Sequence, residues 1–226
     1  MTSHEDQEYE ILLPALFTLF FLEDDTIRNF VLRSNVQKFA SFGDLIITLY
    51  RTDEEENYAF QVKHKEKQNC VLSPRCLESE TKSDFAVLKY CEEFSGIEER
   101  EKYSFVTYTN AYFNSEEMNE VACFDINCCY NSPGKKYFYK PSSDNARIYN
   151  FCSNTKTKTS SLATKQTCES FFERFALYTF QQNWREVQEA VLENFQKMFR
   201  TSDRSAALEY IDYFKNWKLN EYTNVE

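Results

Sequence analysis

Glycine and histidine are scarce in this sequence, and each shortage excludes a class of site. The 226 residues include 3 glycines and 2 histidines. Neither GxGxxG nor GxxxxGK[ST] occurs, so Rossmann and P-loop nucleotide sites are excluded. His4 lies in a polar terminal segment. A histidine-rich zinc site therefore cannot form, and a catalytic triad would have to use His64.

Basic residues are fewer than acidic ones, 26 against 36, and long apolar runs are also rare. The net charge of -10 argues against a general nucleic-acid binder. The apolar run 11–22 follows an acidic segment, unlike the basic start of a signal peptide, and it is too short to span a bilayer. We therefore expect an intracellular protein, cytoplasmic or nuclear, that does not associate with membranes.

The eight cysteines contain no CxxC pair, which disfavours a zinc ribbon or a redox motif. Cys91 falls within one helical pattern and Cys168 begins another. In such positions free cysteines behave as small apolar side chains, so we expect reduced thiols.

The first half of the chain has the hydrophobic patterns of an α/β domain. A hydrophobic content of 42%, with 17% aromatic residues, is enough to bury a core. The spacing predicts a helix at 8–22 that begins near Leu13 or is kinked by Pro14. It also predicts strands at 30–35, 44–50, 58–63 and 103–108, and a helix at 83–94 that stops at Gly96.

Other parts of the chain are less regular, except for its C-terminal third. Residues 70–79 are expected to form a loop, and short strands are expected at 122–126 and 136–139. From residue 162 onward, apolar residues recur every three or four positions, which predicts helices, the last at 204–217. We therefore predict one α/β domain over 1–226, with a mixed central sheet flanked by helices and a helical C-terminal third. Its core is predicted at about 8–110, a basic strand and loop region at 111–161 and the helical part at 162–220.

One acidic and two polar positions stand at the ends of the two central predicted strands. Asp44 opens the first strand, and Gln61 and Lys63 close the second. Neighbouring strands lie about 4.8 Å apart, and residues two apart share a face, so these side chains can converge. A carboxylate is a ligand that Mg²⁺ and Mn²⁺ prefer. The alternative is an ordinary hairpin in which Lys63 and Lys65 protect a sheet edge and Asp44 closes a turn.

This pattern resembles the Mrr-like D…QxK branch of the PD-(D/E)xK nuclease superfamily. The resemblance rests on Phe42-Gly-Asp44, Gln61-Val-Lys-His-Lys-Glu66 and the order helix, three strands, helix, strand. Together with Phe105-Val-Thr-Tyr-Thr-Asn110, these phrases are also similar to the amino-terminal nuclease-type domain of a set of arthropod proteins. The likeness to the superfamily core covers roughly 8–110, and the second likeness extends more diffusely over most of the chain.

The resemblance implies a restriction-endonuclease-like fold and a metal-dependent endonuclease that cleaves nucleic acid, with DNA the first expectation. It implies Mg²⁺ or Mn²⁺ as the cofactor, held by Asp44, Gln61 and an acid of the first helix. That acid is Glu10, with Glu8 as second candidate, and Lys63 would orient the attacking water. Because Gln61 replaces an acid, a catalytically inactive nuclease-fold module that binds nucleic acid or protein is the alternative.

Basic residues are concentrated in two places that could contact a phosphate backbone. Between 132 and 165 the single acidic residue is Asp144, and such a local patch can attract a polyanion although the whole chain is acidic. The alternative is a solvated basic loop. The candidate nucleic-acid-binding residues are Lys65, Lys67, Lys135, Lys136, Lys140, Arg147, Lys156 and Lys158. A third hypothesis is a homodimer, or another partner, at the aromatic stripe of the C-terminal helices.

Overall fold

A mixed sheet of seven strands forms the centre of the protein. The computed structural model describes residues 4–66, 70–78, 83–113, 124–129, 132, 134–153 and 168–223. In these residues the strands of the main sheet are β1 (Asn29–Ser34), β2 (Leu45–Tyr50), β3 (Glu55–Lys63), β5 (Tyr103–Thr109), β7 (Phe124–Cys128), β8 (Arg147–Ser153) and β9 (Phe175–Thr179). Two short strands, β4 (Val71–Leu72) and β6 (Tyr112–Phe113), pair with each other outside it.

The strand order in the main sheet is β1-β2-β3-β5-β9-β8-β7. The pairs β3–β5 and β5–β9 are parallel, and the other pairs are antiparallel. The predicted α/β fold with a mixed sheet and a helical C-terminal part is confirmed. The strands predicted at 30–35, 44–50, 58–63 and 103–108 are also confirmed, with small shifts at their ends.

Helices cover both faces of this sheet. They are α1 (His4–Glu23), α2 (Pro74–Glu78), α3 (Val87–Ser95), α4 (Lys135–Phe138), α5 (Trp184–Phe199) and α6 (Arg204–Thr223). Apolar residues of α1, α4, α5 and α6 pack against one face. Residues of α3, of the 3₁₀ segment Gln37–Phe42 and of the helical stretch 168–172 pack against the other. The sheet is therefore buried on both sides, which explains why β2 and β9 are almost entirely apolar.

The helix predicted at 8–22 is confirmed as α1, which continues through Pro14, so the alternative that it begins near Leu13 is wrong. Pro14 has no amide hydrogen to give to the carbonyl of Glu10, four residues earlier, and the helix lacks that one bond. Burial of Leu12, Leu13 and Leu16 against the sheet compensates for this loss. Among the described residues, no helix is long and apolar enough to cross a membrane.

The strand predicted at 122–126 overlaps β7, but three other predictions from residue 70 onward are wrong. Residues 70–79, expected as a loop, include β4 and α2, and residues 136–139, expected as a strand, lie mainly in α4. The expected helix at 162 and beyond is interrupted by β9, which lies between β5 and β8 at the centre of the sheet. Residues 175–179 are all buried. A short apolar run of this kind fits a buried strand as well as a helix, and its length does not separate the two.

The prediction of reduced, unpaired thiols at Cys91 and Cys168 is contradicted, because the structure joins them in a disulfide. Their Cα atoms lie 5.4 Å apart, within the range that a disulfide bridges. The bond ties α3 to the helical stretch before β9, on the same face of the sheet. Disulfides persist in oxidising compartments, so this pair weighs against the expected intracellular location, which stays a prediction.

Candidate active site

Asp44 lies directly before β2, and a close backbone contact holds it there. The amide of Val36 donates to the carbonyl of Gly43 at 2.9 Å. A Cβ atom at Gly43 would collide with the backbone carbonyl oxygen of Val36, so only glycine fits this position. The carboxylate of Asp44 accepts a hydrogen bond from the backbone N–H of Val62 at 2.8 Å and another from the side-chain amide of Gln61.

Gln61 and Lys63 lie on β3 with one residue between them, as the sequence predicts. The strand pairs in parallel with β5, where Gln61 faces Thr107 and Lys63 faces Thr109. Gln61 is buried, and the bond from its amide nitrogen fixes its side chain against Asp44. Lys63 is half-buried and interacts electrostatically with the Asp44 carboxylate. The hairpin therefore brings Asp44, Gln61 and Lys63 together.

Glu10 adds a second carboxylate from α1. Burial raises the pKa of Asp44 to about 6, and the negative charge of Glu10 contributes to the same shift. The positive charges of Lys63 and Lys218 and the hydrogen bond from Val62 act in the opposite direction. Two carboxylates close enough to influence each other in a partly buried place create a demand for a cation.

The structure distinguishes the two candidate acids of the first helix. Glu8 contacts Lys215 at 3.4 Å and His4 at 3.8 Å. Glu10 is the acid that acts on the charge of Asp44. Glu10, and not Glu8, is therefore the α1 residue of the site.

Lys218 of α6 is a site residue that the sequence pattern does not reveal. Its ammonium group forms an ion pair with Glu10, and the residue is 3% exposed. It lies 208 residues from its partner in the chain. The likeness to the superfamily core ends near residue 110, and the stripe of 162–220 points to a core or a dimer surface, so no motif marks this lysine.

The donor set fits a hard divalent cation in its chemistry. The carboxylates of Glu10 and Asp44, the amide oxygen of Gln61 and the backbone carbonyl of Val62 are all oxygen donors, which Mg²⁺ and Mn²⁺ prefer. Mg²⁺ is often held by one or two carboxylates with water completing its shell. The described residues contain no cluster of three or more His, Cys, Asp or Glu side chains that would form a closed metal cage. Glu10 and Asp44 are the two carboxylates of this donor set.

A cleft of about 190 Å³ opens beyond the end of β3. Its walls include Lys65, Asn110, Trp184 and Arg185, together with one acidic residue from the start of α1 and one from the segment just after β3. Asn110 fixes the backbone of Lys65. Its side chain accepts a hydrogen bond from the N–H of Lys65 at 2.7 Å and donates one to the carbonyl of Lys65 at 2.8 Å. The Lys63 segment is thereby anchored next to the cleft.

His64 also borders this cleft, but its ring is largely buried. It packs against Tyr9 with ring centroids 5.0 Å apart, and its Nδ1 atom lies 3.7 Å from a carboxylate oxygen of Asp6. Burial lowers the pKa of His64 and outweighs the opposite effect of Asp6. His64 is thus a packing residue between α1 and the segment after β3.

Most of the described basic candidates lie away from the two carboxylates. Lys65 lines the cleft and pairs with Asp84 at 2.8 Å. Lys136 pairs with Asp24 at 2.7 Å, near the end of α1. Asp24 follows Glu10 by 14 positions, a rise of about 21 Å along a helix. The structure therefore places Lys65 near the site and Lys136 far from it.

The other described candidates are engaged locally. Lys140 lies 3.4 Å from the centre of the Phe20 ring, and burial lowers its pKa to about 8. Arg147 donates to the carbonyl of Ala146 at 2.7 Å. Lys135 lies 5.3 Å from the centre of an aromatic ring, that of Tyr139. Lys67, Lys156 and Lys158 lie outside the described residues.

Comparison with models of known protein families gives no match, and comparison with curated protein sequences gives none either.

Proposed function

We propose that this protein is a metal-dependent endonuclease that hydrolyses phosphodiester bonds of nucleic acid, with DNA as the first substrate to test. The observation that supports the proposal is the convergence of Glu10, Asp44, Gln61 and Lys63 from α1, the start of β2 and the end of β3. A hairpin with a merely charged edge would not require an acid from a separate helix. The sequence resemblance implies the same four residues.

Each residue has a role that follows from its chemistry. Glu10, Asp44, the Gln61 amide oxygen and the Val62 carbonyl would hold Mg²⁺ or Mn²⁺, which would polarise the scissile phosphate and lower the pKa of an attacking water. Lys63 carries a positive charge beside Asp44, where it orients that water or stabilises charge that develops on the phosphate. The bond from Gln61 to Asp44 keeps the carboxylate in one orientation.

The cleft beyond β3 supports an approach for the nucleic acid. Lys65 and Arg185 supply positive charge on its walls, and Trp184 supplies an aromatic surface. Arg and Lys side chains neutralise phosphates, and aromatic rings stack on unpaired bases. Lys65 stays a proposed nucleic-acid contact, and Arg185 joins it. Lys135, Lys136, Lys140 and Arg147 stay proposals at a more distant surface.

A nuclease-fold module without catalysis is the second candidate function. The ion pair between Lys218 and Glu10 favours it, because a lysine amine already compensates the carboxylates. Gln61 also contributes no charge to a metal. This candidate predicts nucleic-acid binding that does not change when divalent ions are removed.

Self-association through the C-terminal helices also remains a proposal. Three large apolar side chains of α5 and α6 are exposed in the described residues: Phe199, Leu208 and Tyr213. Exposed apolar surface of this kind is typical of contact sites. A homodimer would leave the site of α1, β2 and β3 within each copy.

Cleavage of plasmid and single-stranded DNA in Mg²⁺ or Mn²⁺ tests the function. We expect the wild type to cut, and Asp44→Asn and Lys63→Met to lose at least 100-fold in rate, in line with the loss on removing an electrostatic group of a catalytic site. The matched controls are Asp53→Asn and Lys102→Met, at exposed positions. They should cut like the wild type.

Two results would contradict the proposed endonuclease activity at this site. One is a wild type that is folded and cuts neither substrate in either metal. The other is cleavage that persists in Asp44→Asn, since that would assign the activity to a contaminant or to another site.

A further inference from the structure

Helix α6 runs antiparallel along α1 in a defined register. The hydroxyl of Tyr210 donates to the carbonyl of Ala15 at 2.8 Å, and Lys215 contacts Glu8 at 3.4 Å. Lys218 lies further along α6 and reaches Glu10. This register carries Lys218 to the carboxylate site, although α6 contributes no residue to the hairpin that holds Asp44.

The two lysines of this helix face have different surroundings. The side chain of Lys215 is 36% exposed, whereas that of Lys218 is 4% exposed. A lysine is seldom buried to this degree unless its charge is compensated. Here the compensation comes from Glu10 by direct contact and from Asp44 electrostatically.

We propose that Lys218 is the resident cation of the carboxylate site and that a divalent metal ion binds only by displacing its ammonium group from Glu10. The inference rests on the proposed function, because it assumes that Glu10 and Asp44 are metal ligands. Lys218 is thus a residue that sets metal affinity and not one that contacts the reacting phosphate.

The physical reason is competition for the same oxygen atoms. The Glu10 oxygen accepts a hydrogen bond from the ammonium group. The lone pair used in that bond is the one that a metal ion would need. A lysine side chain has four rotatable bonds, so its ammonium group can leave without movement of the strands that hold Asp44. The cost of that departure is subtracted from the metal's binding free energy, so the wild type should bind metal weakly.

Calorimetric titration with MnCl₂, without nucleic acid, tests the proposal. The proteins are the wild type, Lys218→Met, Lys218→Arg and the matched control Lys215→Met. We expect Lys218→Met to bind Mn²⁺ at least ten-fold more tightly than the wild type, because the competitor is gone. Lys218→Arg keeps a cation and should stay weak, and Lys215→Met should equal the wild type.

A second measurement separates competition from loss of structure. Thermal unfolding followed by circular dichroism should show that Mn²⁺ raises the melting temperature of Lys218→Met more than that of the wild type. Lys218→Gln, which retains a donor for Glu10, replaces the methionine variant if that variant is unfolded. Its neutral amide holds Glu10 more weakly than an ammonium group does, so this variant should also bind Mn²⁺ more tightly than the wild type.

The outcomes distinguish this inference from the proposed function. Measurable Mn²⁺ binding by the wild type with no tightening in folded Lys218→Met or Lys218→Gln would overturn the role of Lys218 and leave the metal site standing. Equally tighter Mn²⁺ binding by Lys215→Met would also overturn the role of Lys218, since the change in affinity would then come from a loosened α6. Absence of binding in every folded variant would overturn the metal site, and the inference with it.

Discussion

Asp24, at the residue scale, is a carboxylate that the fold holds in its ionised form. It lies just after α1 and is buried, and it accepts hydrogen bonds from Lys136 at 2.7 Å, from the hydroxyl of Tyr137 and from Thr26. The bond from Lys136, followed by that from Tyr137, lowers the pKa of Asp24 well below its usual value of about 4. This network joins α1 to α4 and is independent of the candidate active site.

The first prediction concerns the pH dependence that Asp24 causes. Because its pKa is lower in the folded state, its contribution to stability is present above about pH 4 and is lost as the pH falls through and below that value. Asp24→Asn should lower the free energy of unfolding at pH 7 by roughly 1–3 kcal/mol, the usual cost of removing a charged hydrogen-bond partner. The difference from the wild type should shrink at pH 3.

Urea unfolding at pH 7 and pH 3 measures this difference. Asp25→Asn is the matched control, because the neighbouring carboxylate is exposed. It should change stability little at either pH. A cost for Asp24→Asn that is the same at both values would show that the charge of Asp24 does not contribute.

Residue identities in the candidate site were predictable where local chemistry marks them. Asp44, Gln61 and Lys63 lie on one hairpin, so strand periodicity and a short motif are enough to bring them together. Glu10 follows from the resemblance. Lys218 could not be predicted, since its position depends on how α6 packs against α1, which a hydrophobic stripe does not specify.

At the element scale, most strands of the main sheet were predicted from the sequence, whereas β8 and β9 were not. The β2–β3 hairpin is local, with Leu45 opposite Phe60, and its alternation and β-branched residues identify it. Residues 175–179 have no such neighbour, because β9 pairs with β5 and β8. An apolar run whose partners are distant gives no local sign of its register.

Helix α4 shows the opposite error. Residues 136–139 contain aromatic residues that favour a strand, but Gly134 adopts a left-handed conformation and starts a helical turn. Tyr137 and Phe138 are buried by this turn against α1 and the sheet. Tertiary packing therefore outweighs the local preference.

The prediction at this scale concerns the disulfide between Cys91 and Cys168. It closes a loop of 77 residues between α3 and the stretch before β9. Reduction, or the double variant Cys91→Ala/Cys168→Ala, should lower the free energy of unfolding by about 2–5 kcal/mol, because the unfolded chain gains freedom. Urea unfolding with and without dithiothreitol measures this change.

The double variant is its own control. Dithiothreitol should leave it unchanged, which separates this bond from any effect on the other cysteines. Mass spectrometry of unreduced peptides should find residues 91 and 168 linked. Equal unfolding midpoints for the oxidised and reduced wild type would contradict a stabilising disulfide.

On the scale of the whole molecule, distant segments meet at one end of the sheet. Glu10 comes from the first helix, Asp44 and Lys63 from the central hairpin and Lys218 from the last helix. The central sheet itself includes β7, β8 and β9, so the predicted core of about 8–110 lacks strands that complete it. The helical part at 162–220 likewise contributes a residue to the site, Lys218 of α6.

Charge at this scale is consistent with a local rather than a general attraction for nucleic acid. The chain carries a net charge of -10. The positive groups on the walls of the cleft are Lys65 and Arg185. Salt at 0.1 M screens their attraction for phosphates beyond about 10 Å, so they act only over a short range. Binding of nucleic acid should accordingly be favoured by a divalent ion at the carboxylates.

The most direct measurement is anomalous diffraction at the manganese edge from crystals of Lys218→Met soaked in MnCl₂. We predict a manganese peak in contact with the carboxylate oxygens of Asp44 and Glu10. The variant removes the competing amine of Lys218, so competition from this residue cannot explain the absence of a manganese peak. Intact, ordered side chains at both acids with no manganese between them would contradict the account.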